Sequence, residues 1–171
     1  MHIVCETARL RVRHFTDADT AFIQHLLNEP AFLQYIGDKQ VRDTASALSY
    51  IQHGPQASYA QHGFGLNLVE LKACGTPVGM CGLLQRNELD LPDLGYAFLS
   101  AHWRQGYAKE AALAVLDNAR EQHGVHQVLG ITLPDNIASN HLLTALGFAP
   151  HGTIALYGSE NNLYLRTLQP R

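Results

Sequence analysis

The stretch Trp103-Arg104-Gln105-Gly106-Tyr107-Ala108-Lys109-Glu110-Ala111 closes a strand-like run, Leu94-Gly95-Tyr96-Ala97-Phe98-Leu99, and opens a segment with helical periodicity. Strand, tight turn and helix start together leave several backbone N–H groups without intrahelical partners, aligned along the positive end of the helix dipole. A phosphate fits such a junction. Gly106 lets the backbone approach a ligand with no Cβ between them, and Ala108 keeps the first helical turn open.

A second block, Asp135-Asn136-Ile137-Ala138-Ser139-Asn140-His141-Leu142-Leu143-Thr144-Ala145-Leu146-Gly147-Phe148, follows another apolar strand. The spacing Trp103-x-x-Gly106-x-Ala108 resembles the Q/R-x-x-G-x-G/A pyrophosphate motif of the GNAT N-acetyltransferases. WxxGYAxEA after an LGY strand is similar to the branch of the ribosomal-protein N-terminal acetyltransferases RimJ and RimL. The second block resembles the same family's N-x-x-S-x-x-L-L-x-x-L-G-F segment. Trp103 departs from the usual Gln or Arg; the resemblance implies that backbone does the binding, so the departure matters little for the cofactor. P-loop and dinucleotide fingerprints fit worse: GxxxxGK[ST] is absent, and Gly63-Phe64-Gly65 lacks the third glycine and the following helix.

The resemblance covers Ala8 to Leu168 and implies a single domain over residues 1–171 of the α/β (α+β) class. Its fold is the GNAT acyl-CoA N-acyltransferase fold: a mixed, mostly antiparallel sheet of about seven strands flanked by about four helices, with splayed central strands. The implied chemistry is attack of a primary amine on acetyl-CoA in a ternary complex, without a metal. In that reading the turn Arg104, Gln105, Gly106, Tyr107, Ala108 and Lys109 cradles the pyrophosphate. Backbone of Phe98, Leu99 and Ser100 pairs with pantetheine like an added strand, and an N–H there stabilises the tetrahedral oxyanion.

Asn136 explains itself as a helix N-cap and, by the resemblance, also binds the cofactor arm. Many family members place a tyrosine acid in the helix after the fifth strand. Leu143 holds that position here, so Ser139, one turn earlier, is the substitute proton donor and a further cofactor contact, with a capping serine as its plain alternative. Asp93 and Glu70 are the candidate bases, against the ordinary role of surface carboxylates. Phe32, Tyr35, Tyr50, Tyr59 and the hairpin around Tyr157 are candidates for lining the acceptor pocket or packing the core. The acceptor stays open between a protein N-terminus and a small-molecule amine such as an amino acid, polyamine or antibiotic. A noncatalytic acyl-CoA sensor is the reading from another class.

Composition sets the outer limits. A chain of 171 residues, 46% hydrophobic and 16% charged, buries a substantial core. Its net charge of −3 gives no general field for nucleic acid or an anionic membrane. No stretch reaches the roughly 20 apolar residues of a membrane span, and Met1 to Glu6 lacks the pattern of a signal peptide, so a cytoplasmic location is expected. Cys5, Cys74 and Cys81 form no CxxC pair and read as thiols rather than a disulfide framework. His123 and His126 flank a helix end without acidic or cysteine neighbours and read as surface residues. The expected partners are acetyl-CoA and an amine, as monomer or homodimer.

Along the chain, alternation predicts a strand from Leu10 to His14, and Thr16 or Asp17 caps a helix running to Pro30. A second helix is predicted over Asp43 to about His53, broken at Gly54 and Pro55 before continuing to Tyr59. A hairpin spans Phe64 to Leu84. Strand and helix then alternate to Leu146, and two strands, Phe148 to Leu156 and Asn162 to Leu168, end the chain.

Overall fold

The computed structural model describes residues 1–169. Eight strands form one sheet in the order β1-β2-β3-β4-β5-β6-β8-β7. They are β1 (Ile3–Glu6), β2 (Leu10–Arg13), β3 (Leu66–Leu71), β4 (Pro77–Leu84), β5 (Asp93–Phe98), β6 (Gln127–Thr132), β7 (Ala149–Leu156) and β8 (Ser159–Thr167). Every pairing is antiparallel except β5 with β6. One strand more than expected is present, because β1 pairs with β2 along the sheet edge. With only four residues and a register irregularity, β1 carries too little alternation to be read from sequence.

The helices are α1 (Thr20–Leu27), α2 (Pro30–Tyr35), α3 (Thr44–Ile51), α4 (Ala57–His62), α5 (Tyr107–His123) and α6 (Ile137–Ala145). Thr16 does cap, but it caps a 3-10 turn, Asp17–Asp19, that leads into α1. Pro30 starts α2 at its first position, where its missing N–H costs nothing, instead of ending α1. Gly54 and Pro55 do not break the second helical region either. A π-helical turn, Gln52–Gln56, carries the chain from α3 into α4, and the wider turn absorbs the hydrogen bond that proline cannot donate.

Two cores lie on the two faces of the sheet. One face packs Leu10, Val12, Val69, Val78 and Leu94 against Ala111, Ala112, Val115, Leu116 and Ala119 of α5 and Leu143 of α6. The alanine stripe lets α5 lie close to the strands. The other face packs Leu66, Leu68 and Met80 under α1 and α3 through Ile23, Leu26, Leu27 and Ile51. On the α6 side, a Cβ on Gly130 would meet Leu143 Cδ1 at 2.7 Å, so glycine in β6 is what lets α6 seat its buried leucine on the sheet.

The parallel pair decides where a ligand can enter. Strands β5 and β6 share a single register pair, Asp93 with Leu129, closed by Leu129 N–H donating to Pro92 O at 2.9 Å. Beyond that point they part, while β5 stays paired to β4 as far as Phe98. A wedge-shaped cleft opens between them, with α5 leaving from one wall and α6 from the other.

Candidate active site

At the end of β5 the chain makes a 3-10 turn, Ser100–His102, and then the glycine turn. Arg104 has φ 61° and Gly106 φ 81°, so the backbone turns twice through the left-handed region before α5 begins. Gly106 is the N-cap of α5 and brings no side chain to satisfy the first-turn N–H groups. A Cβ placed there would approach only Arg9 Nη2, at 3.4 Å. The cradle therefore fits a phosphate: donors converge, the space before them is open, and a cation stands at its edge.

Sequence reasoning missed that cation. Arg9 comes from the β1–β2 turn, and its guanidinium lies 4.5 Å from the centroid of the Tyr107 ring. Glu110, one turn into α5, fixes it through Arg9 Nε at 2.8 Å while also accepting from Thr7 Oγ1 at 2.5 Å. Burial pushes the Glu110 carboxyl up, but the bonds from Thr7 and Arg9 outweigh it and hold the carboxyl below its ordinary value. Arg9 and Glu110 are separated by 101 positions, and no local pattern connects them.

The strand end differs from expectation. Leu99 N–H donates to Val78 O at 2.9 Å, so its backbone faces β4 rather than the cleft. Ser100 N–H donates to Glu29 Oε1 at 2.6 Å, and its hydroxyl donates to Glu29 Oε2 at 3.2 Å. Phe98 O accepts from the Trp103 indole at 2.8 Å, which ties the loop back to the strand. Strand alternation then turns the N–H groups of Tyr96 and Phe98 toward the cleft. The surface that can pair with an extended ligand thus centres on Tyr96 and Phe98, and Leu99 and Ser100 serve the scaffold.

On the opposite wall, Asn136 caps α6, its side-chain oxygen accepting from Ser139 N–H at 3.3 Å. The Ser139 hydroxyl is hydrogen-bonded to the Tyr96 hydroxyl, across the gap that the two strands leave. Asn140 Oδ1 accepts from Thr132 Oγ1 (2.6 Å), Asn162 Nδ2 (3.0 Å) and Tyr164 Oη (2.7 Å), locking the first turn of α6 to β6 and β8.

The two candidate bases are occupied. Glu70 is 5% exposed on β3, with Arg11 Nη1 at 3.2 Å and Arg13 Nε at 3.4 Å, and β4 and β5 separate it from the cleft. It is an ion-pair anchor for β2. Asp93 does lie at the closed end of the cleft, but Arg86 holds both its oxygens, at 3.0 and 3.2 Å. Burial raises the Asp93 carboxyl while Arg86 opposes the rise, and protonating it would break a buried bidentate pair. Arg86 also lies under the Tyr157 ring, 5.7 Å away, and Tyr157 Oη donates to Glu88 at 3.2 Å. The last hairpin is thereby hooked over the closed end. Of the other candidate pocket residues, Phe32 is buried in the core beneath α1, Tyr50 packs against that core, and Tyr59 binds backbone of Phe15 and Leu66.

A glycine-capped helix start beside a splayed parallel pair gives an anion cradle at the mouth of a cleft, and comparison with known proteins shows the family that carries it. Residues 9–149 match the family model described as acetyltransferase (GNAT) domain, and the chain belongs to that family. Two relatives come from Bacillus subtilis. The uncharacterized N-acetyltransferase YoaA is 27% identical over 163 residues, covering 94% of this chain and 91% of its own, and the uncharacterized protein YkkB is 30% identical over 164 residues, covering 94% and 93%. Among solved structures, an acetyltransferase from Agrobacterium tumefaciens superposes with a TM-score of 0.83 at 22% identity, covering 97% of this chain and 94% of its own. RimL, a ribosomal-protein alpha-N-acetyltransferase in complex with coenzyme A, superposes with a TM-score of 0.82 at 17% identity over 98% of each chain.

Proposed function

We propose that this acetyltransferase transfers the acetyl group of acetyl-CoA to a primary amine by direct attack, with a protein N-terminus as the acceptor class. The observation that carries the reading is the glycine-capped start of α5 opening beside the β5–β6 cleft, with Arg9 at its edge. RimL, with the same fold and a bound coenzyme A, supports the donor and the acceptor class.

In this reading the turn from Arg104 to Lys109 and Arg9 hold the phosphates, and Asn136 holds the arm from the α6 wall. The N–H groups of Tyr96 and Phe98 orient the thioester arm and meet the charge that develops on the carbonyl oxygen. The amine nitrogen bonds to the carbonyl carbon, the C–S bond breaks, and the ammonium proton passes to water, since Glu70 and Asp93 are committed to arginines. Ser139 donates toward the sulfur. Burial pushes the Cys81 thiol up, and Cys5 is pushed up to about 11, so neither thiol is poised as a nucleophile.

The test is thermal and kinetic. Acetyl-CoA at a hundredfold excess over its dissociation constant adds about 2.7 kcal/mol, which for a chain of this size raises Tm by roughly 5 to 10 °C. NAD and ATP should do far less. CoA release is then followed with peptides of varied N-termini beside amino acids, polyamines and aminoglycosides. Release with a small amine alone would move the acceptor class, binding without release would mark a sensor, and no shift with acetyl-CoA or CoA would end the reading.

A further inference from the structure

On α6, Leu143 is packed, 1% exposed, against Gly130 and offers the cleft no proton donor. A phenol nevertheless reaches α6 from the other wall of the cleft. Tyr96 stands on β5, on the face that carries α5 and α6, and its hydroxyl meets that of Ser139 where the two strands have separated. Ser139 alone is a poor acid, because an alkyl hydroxyl holds its proton far more tightly than a phenol does. A phenol is the stronger acid and the natural donor in a phenol–alcohol pair. With Tyr96 donating to Ser139 Oγ, the serine proton is free to point along the cleft.

We propose that Tyr96 is the positioning and proton-supplying residue behind Ser139, the two hydroxyls forming one relay that protonates the leaving thiolate. The inference rests on the acetyl-CoA reading above. As the thioester C–S bond breaks, the sulfur takes the Ser139 proton and Ser139 Oγ takes that of Tyr96. The phenolate regains a proton from water, which has received the one lost by the attacking amine. Both side chains return to their starting state, and no further reactant is needed. Burial pushes the Tyr96 phenol up to about 12, so the resting pair is neutral. The other titratable groups acting on it are Cys81 on β4, whose thiol burial pushes up, and Tyr164 on β8, which donates to Asn140. Sequence alone does not reveal the pair, since the two residues lie 43 positions apart.

The experiment uses free CoA, so that it needs no acceptor. Thiolate absorbance of the CoA complex is titrated against pH, with the desulfo-CoA complex as blank, for wild type, Tyr96→Phe, Ser139→Ala and the double variant. A donor pair facing the sulfur lowers the bound thiol's pKa below that of free CoA by about one unit, a tenfold gain in thiolate. Tyr96→Phe and Ser139→Ala should each cancel that gain and with it the tenfold preference of the site for the thiolate over the thiol, and the double variant should match the singles. A bound thiol that ionises like free CoA in wild type, or unchanged in Tyr96→Phe, overturns the relay. Failure of CoA to bind wild type overturns the proposed function itself, and this inference with it.

Discussion

At the residue scale, single atoms decide what the site can hold. Gly106 combines a left-handed backbone with an open approach, and both are lost on substitution. Gly106→Glu should cost about 2 kcal/mol of stability for a Cβ in the left-handed region, and it places a carboxylate where the phosphate belongs. The protein should fold, as read by circular dichroism, and show no acetyl-CoA-dependent rise in Tm. Asn140 holds a different kind of control, because one amide oxygen serves three donors. Asn140→Ala strands those groups and should cost about 3 kcal/mol in urea unfolding, a loss typical of unsatisfied buried donors. The nearby Asn136→Ala should cost about 1 kcal/mol for the cap and weaken CoA binding as well. A stability loss from Asn136→Ala with unchanged CoA affinity would leave Asn136 a cap only.

Elements place these residues. Helix α5 joins the phosphate turn at one end to His123 and the β1–β3 corner at the other, and its 17 residues set the distance between them. At the helical rise per residue that distance is about 25 Å. The β7–β8 hairpin shows a competing demand. Leu156 pairs with Ser159, so Tyr157 and Gly158 form a two-residue turn, with φ 52° and 80°. Such turns favour Asn-Gly, and an aromatic residue in the first place is strained. Tyr157→Asn should therefore stabilise the protein by about 1 kcal/mol, less the few tenths contributed by the exposed bonds to Glu88 and Arg86. Acetyl-CoA affinity should not change, while the KM for the amine rises if the ring covers the acceptor. A loss of stability would show that the Arg86 and Glu88 contacts outweigh the turn strain.

For the whole molecule, acid sensitivity follows from a group far from the cleft. His14 lines a cavity of about 370 Å³ with His2, Asn67, Asn118 and His123, stacked between the rings of His2 and Tyr59. Burial and the neighbouring histidines lower its pKa from 6.5 to about 4. The unfolded chain then binds a proton that the folded one refuses, so stability falls as pH drops from 6.5 toward 4. From about pH 4.5 downward, the depressed carboxyls of Glu110 and then Asp19 add a further loss as they protonate. Urea midpoints at intervals between pH 7 and 5 should decline for wild type and stay nearly flat over that range for His14→Phe. Equal slopes for the two proteins would place the acid-sensitive group elsewhere.

The sequence by itself determined what local chemistry can determine. The glycine at a helix start, the asparagine before Ile137, the alanine stripe of α5 and the alternating strands each act within a few residues, and each is written as a short spacing. The family, the sheet and the glycine-capped start of α5 were legible from them. Tertiary structure alone decided which charged and hydroxyl side chains meet around the cleft. Arg9 reaches the turn from the far end of the chain, Glu70 and Asp93 are taken by arginines, and Tyr96 finds Ser139 across the cleft. Those pairings depend on which strands lie side by side and where two of them part, and such long-range geometry leaves no spacing in the sequence to read.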